Sequence, residues 1–113
     1  MQFKIGIDLI EVKRFENIAE KTRFLVNNFT KKELKDCKKR QIESLAGKFA
    51  AKEAVRKTIK ENVKFNAIEI INNKDGSPCV NFLDKKIKEK YESEISITHT
   101  KFMAQAVCIT FKK

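Results

Sequence analysis

The chain contains no tryptophan, one proline, one histidine and only three glycines, and each scarcity removes a class of structure. So little proline and glycine argues against long flexible segments, and no repeat or low-complexity tract is present beyond a general richness in Lys, Asn and Ile. Cys37, Cys79 and Cys108 are odd in number and far apart, with no C-x-x-C pair and no histidine at zinc-ligand spacing. Neither a disulfide framework nor a structural zinc is indicated, and buried or inert thiols are expected. No apolar run approaches the ~18 residues that would suggest a membrane span, and Asp8 and Glu11 interrupt the apolar run a signal peptide would need. These absences predict a soluble, cytoplasmic protein.

What is present fits one domain, residues 1–113, with a single modest core. Lys and Arg outnumber Asp and Glu by 25 to 15, a net charge of +10. That excess predicts attraction to an anion: nucleic acid, a phosphorylated cofactor, an acidic protein or an anionic membrane.

The most informative stretch is L-A-G-K-F-A-A-K-E-A-V-R-K, Leu45 to Lys57. At about 100° per residue, Ile42, Leu45 and Phe49 form an apolar stripe, and Glu53 falls within about 20° of its centre. A carboxylate on the buried side of a helix needs a compensating cation, metal or hydrogen bond. Lys57, four residues on, is one partner available to it. The alternative makes Glu53 a ligand for a hard cation and Lys57 a donor to a phosphate, which requires a second carboxylate.

The N-terminal residues offer that carboxylate. Phe3, Ile5 and Ile7 alternate with Lys4, Gly6 and Asp8, the period of a half-buried strand, and Asp8 sits near its end. Gly6 leaves room on its face for a backbone, helix or ligand. From Glu11 to Asn27 the pattern is helical in two short pieces, with Val12, Phe15, Ile18 and Ala19 on one side of the first. Lys13, Arg14, Lys21 and Arg23 lie on the other, either a solvated basic face or a docking surface for an acidic helix.

T-K-K-E at Thr30 to Glu33 is a capping box opening a helix to about Arg40, with Phe29 or Leu34 as a staple. The long central helix follows from about Gln41 to about Lys60, and Gly47 inside it predicts something packed on its backbone. Ala67 to Asn72, the turn Asn73-Lys74-Asp75-Gly76 and Pro78 to Phe82 read as a hairpin. Leu83, Ile87 and Tyr91 mark an amphipathic helix, and strands follow at Glu94 to Thr98 and about Met103 to Phe111. The fold class is α+β, a mostly antiparallel sheet packed on the long central helix. Between the last two strands, T-H-T at Thr98 to Thr100 places His99 among hydroxyls and next to Lys101, donors suited to a phosphate.

G-I-D-L-I-E-V-K-R-F at Gly6 to Phe15, F-T-K-K-E-L at Phe29 to Leu34, the Leu45 to Lys57 stretch, D-G-S-P at Asp75 to Pro78 and I-S-I-T-H-T-K at Ile95 to Lys101 occur in that order. Together they resemble the holo-[acyl carrier protein] synthases, the small trimeric branch of the 4'-phosphopantetheinyl transferase superfamily. The likeness spans almost the whole chain, and the G-I-D start with the F-A-A-K-E-A helix is specific as a pair.

The resemblance implies transfer of 4'-phosphopantetheine from coenzyme A to a serine of apo acyl carrier protein, releasing adenosine 3',5'-bisphosphate, in fatty acid biosynthesis. It implies magnesium on Asp8 and Glu53, with Glu53 and Lys57 as the catalytic pair and Lys57 near the pyrophosphate. Lys48, where many members carry an arginine, would meet the 3'-phosphate with His99, keeping the charge but losing the bidentate fork. Pro78 would shape the adenine site, and Arg14, with Lys13, Lys21 and Arg23, would receive the carrier protein. A homotrimer is implied, with His99 or the Pro78 turn supplied by a neighbouring chain. A metal-bound water, Glu53 and a nearby lysine all remain open as the base that takes the serine proton.

One segment departs from the family pattern. A glycine-rich stretch usually follows the central helix, whereas K-T-I-K-E-N-V-K-F-N has no glycine, so cofactor-facing amides there are expected to be missing or rearranged. The competing readings are a non-catalytic basic nucleic-acid-binding module and an inactive interaction subunit of the same fold. Asp8 and Glu53, and the lack of any zinc-finger, GXXG or RNP-type motif, argue against the first. The favoured reading involves neither nucleic acid nor membrane.

Overall fold

A computed structural model describes residues 2–17, 21–37 and 41–113. In chain order it contains strand β1 (Phe3–Glu11), a 3-10 turn (Val12–Phe15), helices α1 (Thr22–Asn28), α2 (Lys31–Asp36) and α3 (Gln41–Arg56), and a second 3-10 turn (Phe65–Ala67). Strands β2 (Ile68–Asn72) and β3 (Pro78–Phe82), helix α4 (Lys85–Lys90) and strands β4 (Tyr91–His99) and β5 (Met103–Lys112) complete it. The strands form two antiparallel sheets, β1-β5-β4 and β2-β3.

The strongest local signals act as expected. Thr30 Oγ1 accepts from the Glu33 amide at 3.2 Å while Glu33 Oε1 accepts from the Thr30 amide at 2.8 Å, so both halves of the capping box are made. The β2–β3 turn is closed by Gly76 N–H to the Asn73 carbonyl, with Gly76 at φ +88°, a conformation few side chains tolerate. Some ends shift. α2 stops at Asp36, and the expected continuation through residues 38–40 lies outside the described residues, as do Ile18 and Ala19. α3 ends at Arg56 rather than near Lys60, because the Thr58 amide and hydroxyl both turn back to the Val55 carbonyl. The helix expected to carry Leu83, Ile87 and Tyr91 is only α4: Asp84 caps it, Leu83 is exposed before it, and Tyr91 already begins β4.

α3 is the axle. From Leu45 to Val55 every residue except Glu53 is buried, the signature of a helix enclosed on nearly all sides rather than lying on a surface. The three-stranded sheet covers one side, with Gly47 against Ile97 of β4, where an added Cβ would sit 3.1 Å from the Ile97 methyl. On another side Phe49 is ringed by Phe15, Phe24, Phe29 and Phe65, with centroids 5.1 to 6.3 Å away.

The face of β1 on which Gly6 leaves room is the one that α3 takes. Gly6, Asp8 and Ile10 point toward α3, while Phe3, Ile5, Ile7 and Leu9 are 52 to 61% exposed on the outer face. Val107 and Ile109 of β5 add to that outer face. Alternation correctly identifies the strand but is blind to which side meets the chain's own core.

Candidate active site

Gly6 marks where β1 crosses the C-terminal half of α3. A Cβ there would lie 2.1 Å from the Ala54 carbonyl oxygen, so only glycine permits the approach. The crossing fixes what stands around it. Asp8 is two residues along the same strand face, and Glu53 immediately precedes Ala54. Lys57 follows Glu53 by one turn, its amide donating to the Glu53 carbonyl at 3.3 Å. Its Nζ reaches back to β1, donating to the Ile7 carbonyl at 2.6 Å and to Asp8 Oδ1 at 3.4 Å.

Glu53 is not the buried carboxylate that helical periodicity suggests. It is half-exposed, the one opening in an otherwise buried run of α3, and so is free to take an external ligand. Asp8 and Glu53 thus supply two partly accessible hard oxygen donors from a strand and a helix pinned together. Among the described residues no cluster of three or more acidic, His or Cys ligands exists. Two carboxylates are a number that suits magnesium, which commonly keeps its waters and takes one or two carboxylates plus phosphate oxygens.

A second group of expected residues meets at the other end of α3. Lys48, Pro78 and His99 line one cavity of about 220 Å³ together with Glu43, Asn72 and Gly76. Lys48 does not present its charge there. It is 5% exposed, and its Nζ donates to the Ile70 carbonyl of β2 at 2.6 Å, so the direct phosphate contact expected of it is absent in this conformation. His99, at the end of β4, turns Nδ1 toward Glu43 Oε2 at 3.7 Å.

Lys13, Arg14, Lys21 and Arg23 are all exposed, and a Phe15–Phe24 ring contact at 6.3 Å ties the first 3-10 turn to α1. Lys13 lies 4.0 Å from Glu11, a solvent-screened pair that leaves its charge largely available.

The charged pair that matters most to the core escaped the sequence reading. Lys52 Nζ donates to Glu33 Oε1 at 2.7 Å and to the carbonyls of Phe65 and Ile68, at 2.8 and 2.6 Å. Glu33 Oε2 accepts from the Ile70 amide at 2.8 Å. Burial pushes the Lys52 ammonium below its ordinary range, and the adjacent Glu33 carboxylate opposes that shift. The signal was available: Lys52 stands three residues after Phe49 and three before Val55, on the buried arc itself.

The glycine-free segment after α3 is tied down by side chains. Thr58 and Thr110 hydroxyls meet at 2.6 Å, Arg56 donates to Asn62, and Ile59 and Val63 are buried. Glu61 accepts from Lys90 and from the Tyr91 hydroxyl, each at 2.7 Å, and these bonds hold its carboxyl down to about 2.

Comparison with known proteins identifies the relatives of the chain. Residues 4–111 match the family model of the 4'-phosphopantetheinyl transferase superfamily. The holo-[acyl-carrier-protein] synthase of Fusobacterium nucleatum is 40% identical over 116 residues, 93% of this chain and 95% of the relative. That of Caldicellulosiruptor bescii is 40% identical over 121 residues, 99% of this chain and 100% of the relative. The crystal structure of the Helicobacter pylori holo-[acyl-carrier-protein] synthase in complex with coenzyme A superimposes with a TM-score of 0.83 at 27% identity, covering 96% of this chain and 100% of that one. The Bacillus anthracis synthase in complex with CoA (3',5'-ADP) gives 0.79 at 32% identity, covering 96% and 95%.

Proposed function

The chain belongs to the 4'-phosphopantetheinyl transferase superfamily, in its holo-[acyl carrier protein] synthase branch, and from this we propose that it moves 4'-phosphopantetheine from coenzyme A to a serine of apo acyl carrier protein. The observation that carries the reading is the β1–α3 crossing, where Lys57 reaches Asp8 one turn from Glu53. The reaction breaks the pyrophosphate bond of coenzyme A as the serine oxygen attacks the phosphorus that bears pantetheine, and adenosine 3',5'-bisphosphate leaves.

Charge placement is what this chain contributes. An ammonium has three N–H groups; at Lys57 the Ile7 carbonyl and Asp8 engage two, and the third is free for a pyrophosphate oxygen. That contact would stabilise charge growing on the leaving group. Asp8 and Glu53 would hold magnesium, which when bound neutralises charge on the pyrophosphate. Glu43, Pro78 and His99 line the cavity suited to the adenosine end, and Lys48 braces it by fastening β2 to α3. Lys13, Arg14, Lys21 and Arg23 form the basic surface for the acidic carrier protein.

Self-association belongs to the same reading. The row Phe3, Ile5, Ile7 and Leu9 with Val107 and Ile109 is a contiguous apolar sheet face in solvent, which supports burial against further copies of the chain as a homotrimer. From Glu43 to Glu53 is ten residues, about 15 Å along α3 at 1.5 Å per residue. That separation of adenosine and pyrophosphate residues supports a site shared between neighbouring subunits. Among the described residues no helix is long and apolar enough to cross a membrane.

The test is the intact mass of apo acyl carrier protein after incubation with the protein, coenzyme A and magnesium. One phosphopantetheine should be added, and the addition should vanish with EDTA, Asp8→Ala or Glu53→Ala. A folded, oligomeric protein that modifies no carrier would overturn the proposal.

A further inference from the structure

We propose that Glu43 is a positioning residue: through His99 it sets how strongly the cavity at the N-terminal end of α3 prefers adenosine nucleotides bearing a 3'-phosphate. The inference rests on the functional reading above and deepens it.

The cavity's cations are unequal. Lys48 lines the wall but is buried, with its ammonium donating to the Ile70 carbonyl. His99 is 39% exposed at its side chain. Among the described residues lining this cavity, it is therefore the one cation-forming side chain with its polar end accessible.

A histidine at a strand end has freedom about two torsions, and a phosphate gains most from a ring already aimed at it. Glu43 supplies the aim. It stands in the first turn of α3, on an element held against β4 by the Gly47–Ile97 contact, and its Oε2 faces His99 Nδ1 at 3.7 Å. With Nδ1 turned to that carboxylate, the imidazolium, in which both ring nitrogens carry a proton, has Nε2–H left to donate to a phosphate oxygen. The carboxylate lies across the ring from the anion, where solvent screens their repulsion.

Calorimetric titration of the trimer-competent full chain with adenosine 3',5'-bisphosphate and, separately, with AMP reads the 3'-phosphate directly. The native protein should prefer the bisphosphate, and His99→Ala should abolish the preference. Glu43→Ala should weaken bisphosphate binding roughly threefold to fivefold, the range for a partly exposed charged pair, with AMP unaffected and Glu43→Gln in between. In the His99→Ala background Glu43→Ala should add nothing. In turnover the loss should enter through KM for coenzyme A rather than kcat.

Glu43 variants that keep the native preference, that weaken both nucleotides alike, or that act equally without His99 would overturn the inference alone. A native protein indifferent to the 3'-phosphate would overturn it together with the cavity assignment. Carrier modification, measured separately by mass, reports on the transferase reading itself.

Discussion

Lys52 and Glu33 form an ion pair in which neither side chain has any solvent exposure, with Nζ 2.7 Å from Oε1. The pair joins α2 to α3 and, through the Ile68 and Ile70 backbone, holds β2 against both. Every donor and acceptor finds a partner, which is the condition under which a buried charge is tolerated.

Breaking that pair from one side leaves a bare charge in the core. Lys52→Met should cost about 3–5 kcal/mol in urea unfolding. Lys52→Met combined with Glu33→Gln should cost less than the sum of the single changes, since the stranded carboxylate is then gone. Full additivity would mean that the two side chains do not interact.

Gly6→Ala places a methyl against the Ala54 carbonyl oxygen, a backbone atom that no rotamer can move. Strand and helix must separate, at a cost of about 1–3 kcal/mol by analogy with overpacked cores. Because the same crossing brings Lys57 to Asp8, carrier modification should fall further than the loss of folded protein explains. Thermal unfolding and product mass on the same sample check this.

Glu61 gives a signed acid dependence. Its carboxyl is lowered from 4.5 to about 2, first by its hydrogen bond with Lys90 and then by that with Tyr91. A depressed acid contributes stability that is complete above the unfolded value and is lost as pH falls through the folded one. The stability difference between the native protein and Glu61→Gln should therefore shrink between about pH 4.5 and pH 2. Chemical denaturation across that window measures it.

Thiol reactivity should separate the cysteines. Burial raises the Cys37 thiol to about 11 and shifts Cys108 upward as well, whereas Cys79 is half-buried on β3. At pH 8 a disulfide reagent should label Cys79 in the folded protein, and Cys37 and Cys108 only after denaturation. Prompt labelling of Cys37 would contradict its burial.

A charge on the outer face of β1 tests self-association. Ile7→Glu should leave the monomer fold intact, since Ile7 is 52% exposed, yet should convert a trimer to monomers. Light scattering after size-exclusion chromatography gives the mass. An unchanged trimer would place the interface elsewhere.

The candidate site residues could be proposed before folding, because they lie in short runs whose chemistry is local. Glu53 and Lys57 are one helical turn apart, and Asp8 ends a run of alternating residues beside a glycine. That Lys57 reaches Asp8 could not be read, since it depends on β1 crossing α3 at Ala54, about fifty positions away in sequence. Glu43 went unnoticed for the same reason: it faces His99 only because β4 packs on α3.

By itself the sequence determined what is settled within a few residues of chain: the Thr30–Glu33 capping box, the Asn73–Gly76 turn and the helical character of Leu45 to Arg56. Tertiary structure alone decided which charges are interior and which apolar residues are exterior. Periodicity pointed to Glu53 as the buried charge and grouped Phe3, Ile5 and Ile7 on one face of β1 without saying what that face meets. The fold buries Lys48 and Lys52 instead and turns those apolar side chains to solvent. The physical reason is that burial belongs to pairs of surfaces. A strand face or helix arc acquires an inside only when its partner arrives, and a charge can stay there only when that partner brings the acceptors, as Glu33, Phe65, Ile68 and Ile70 do for the two lysines.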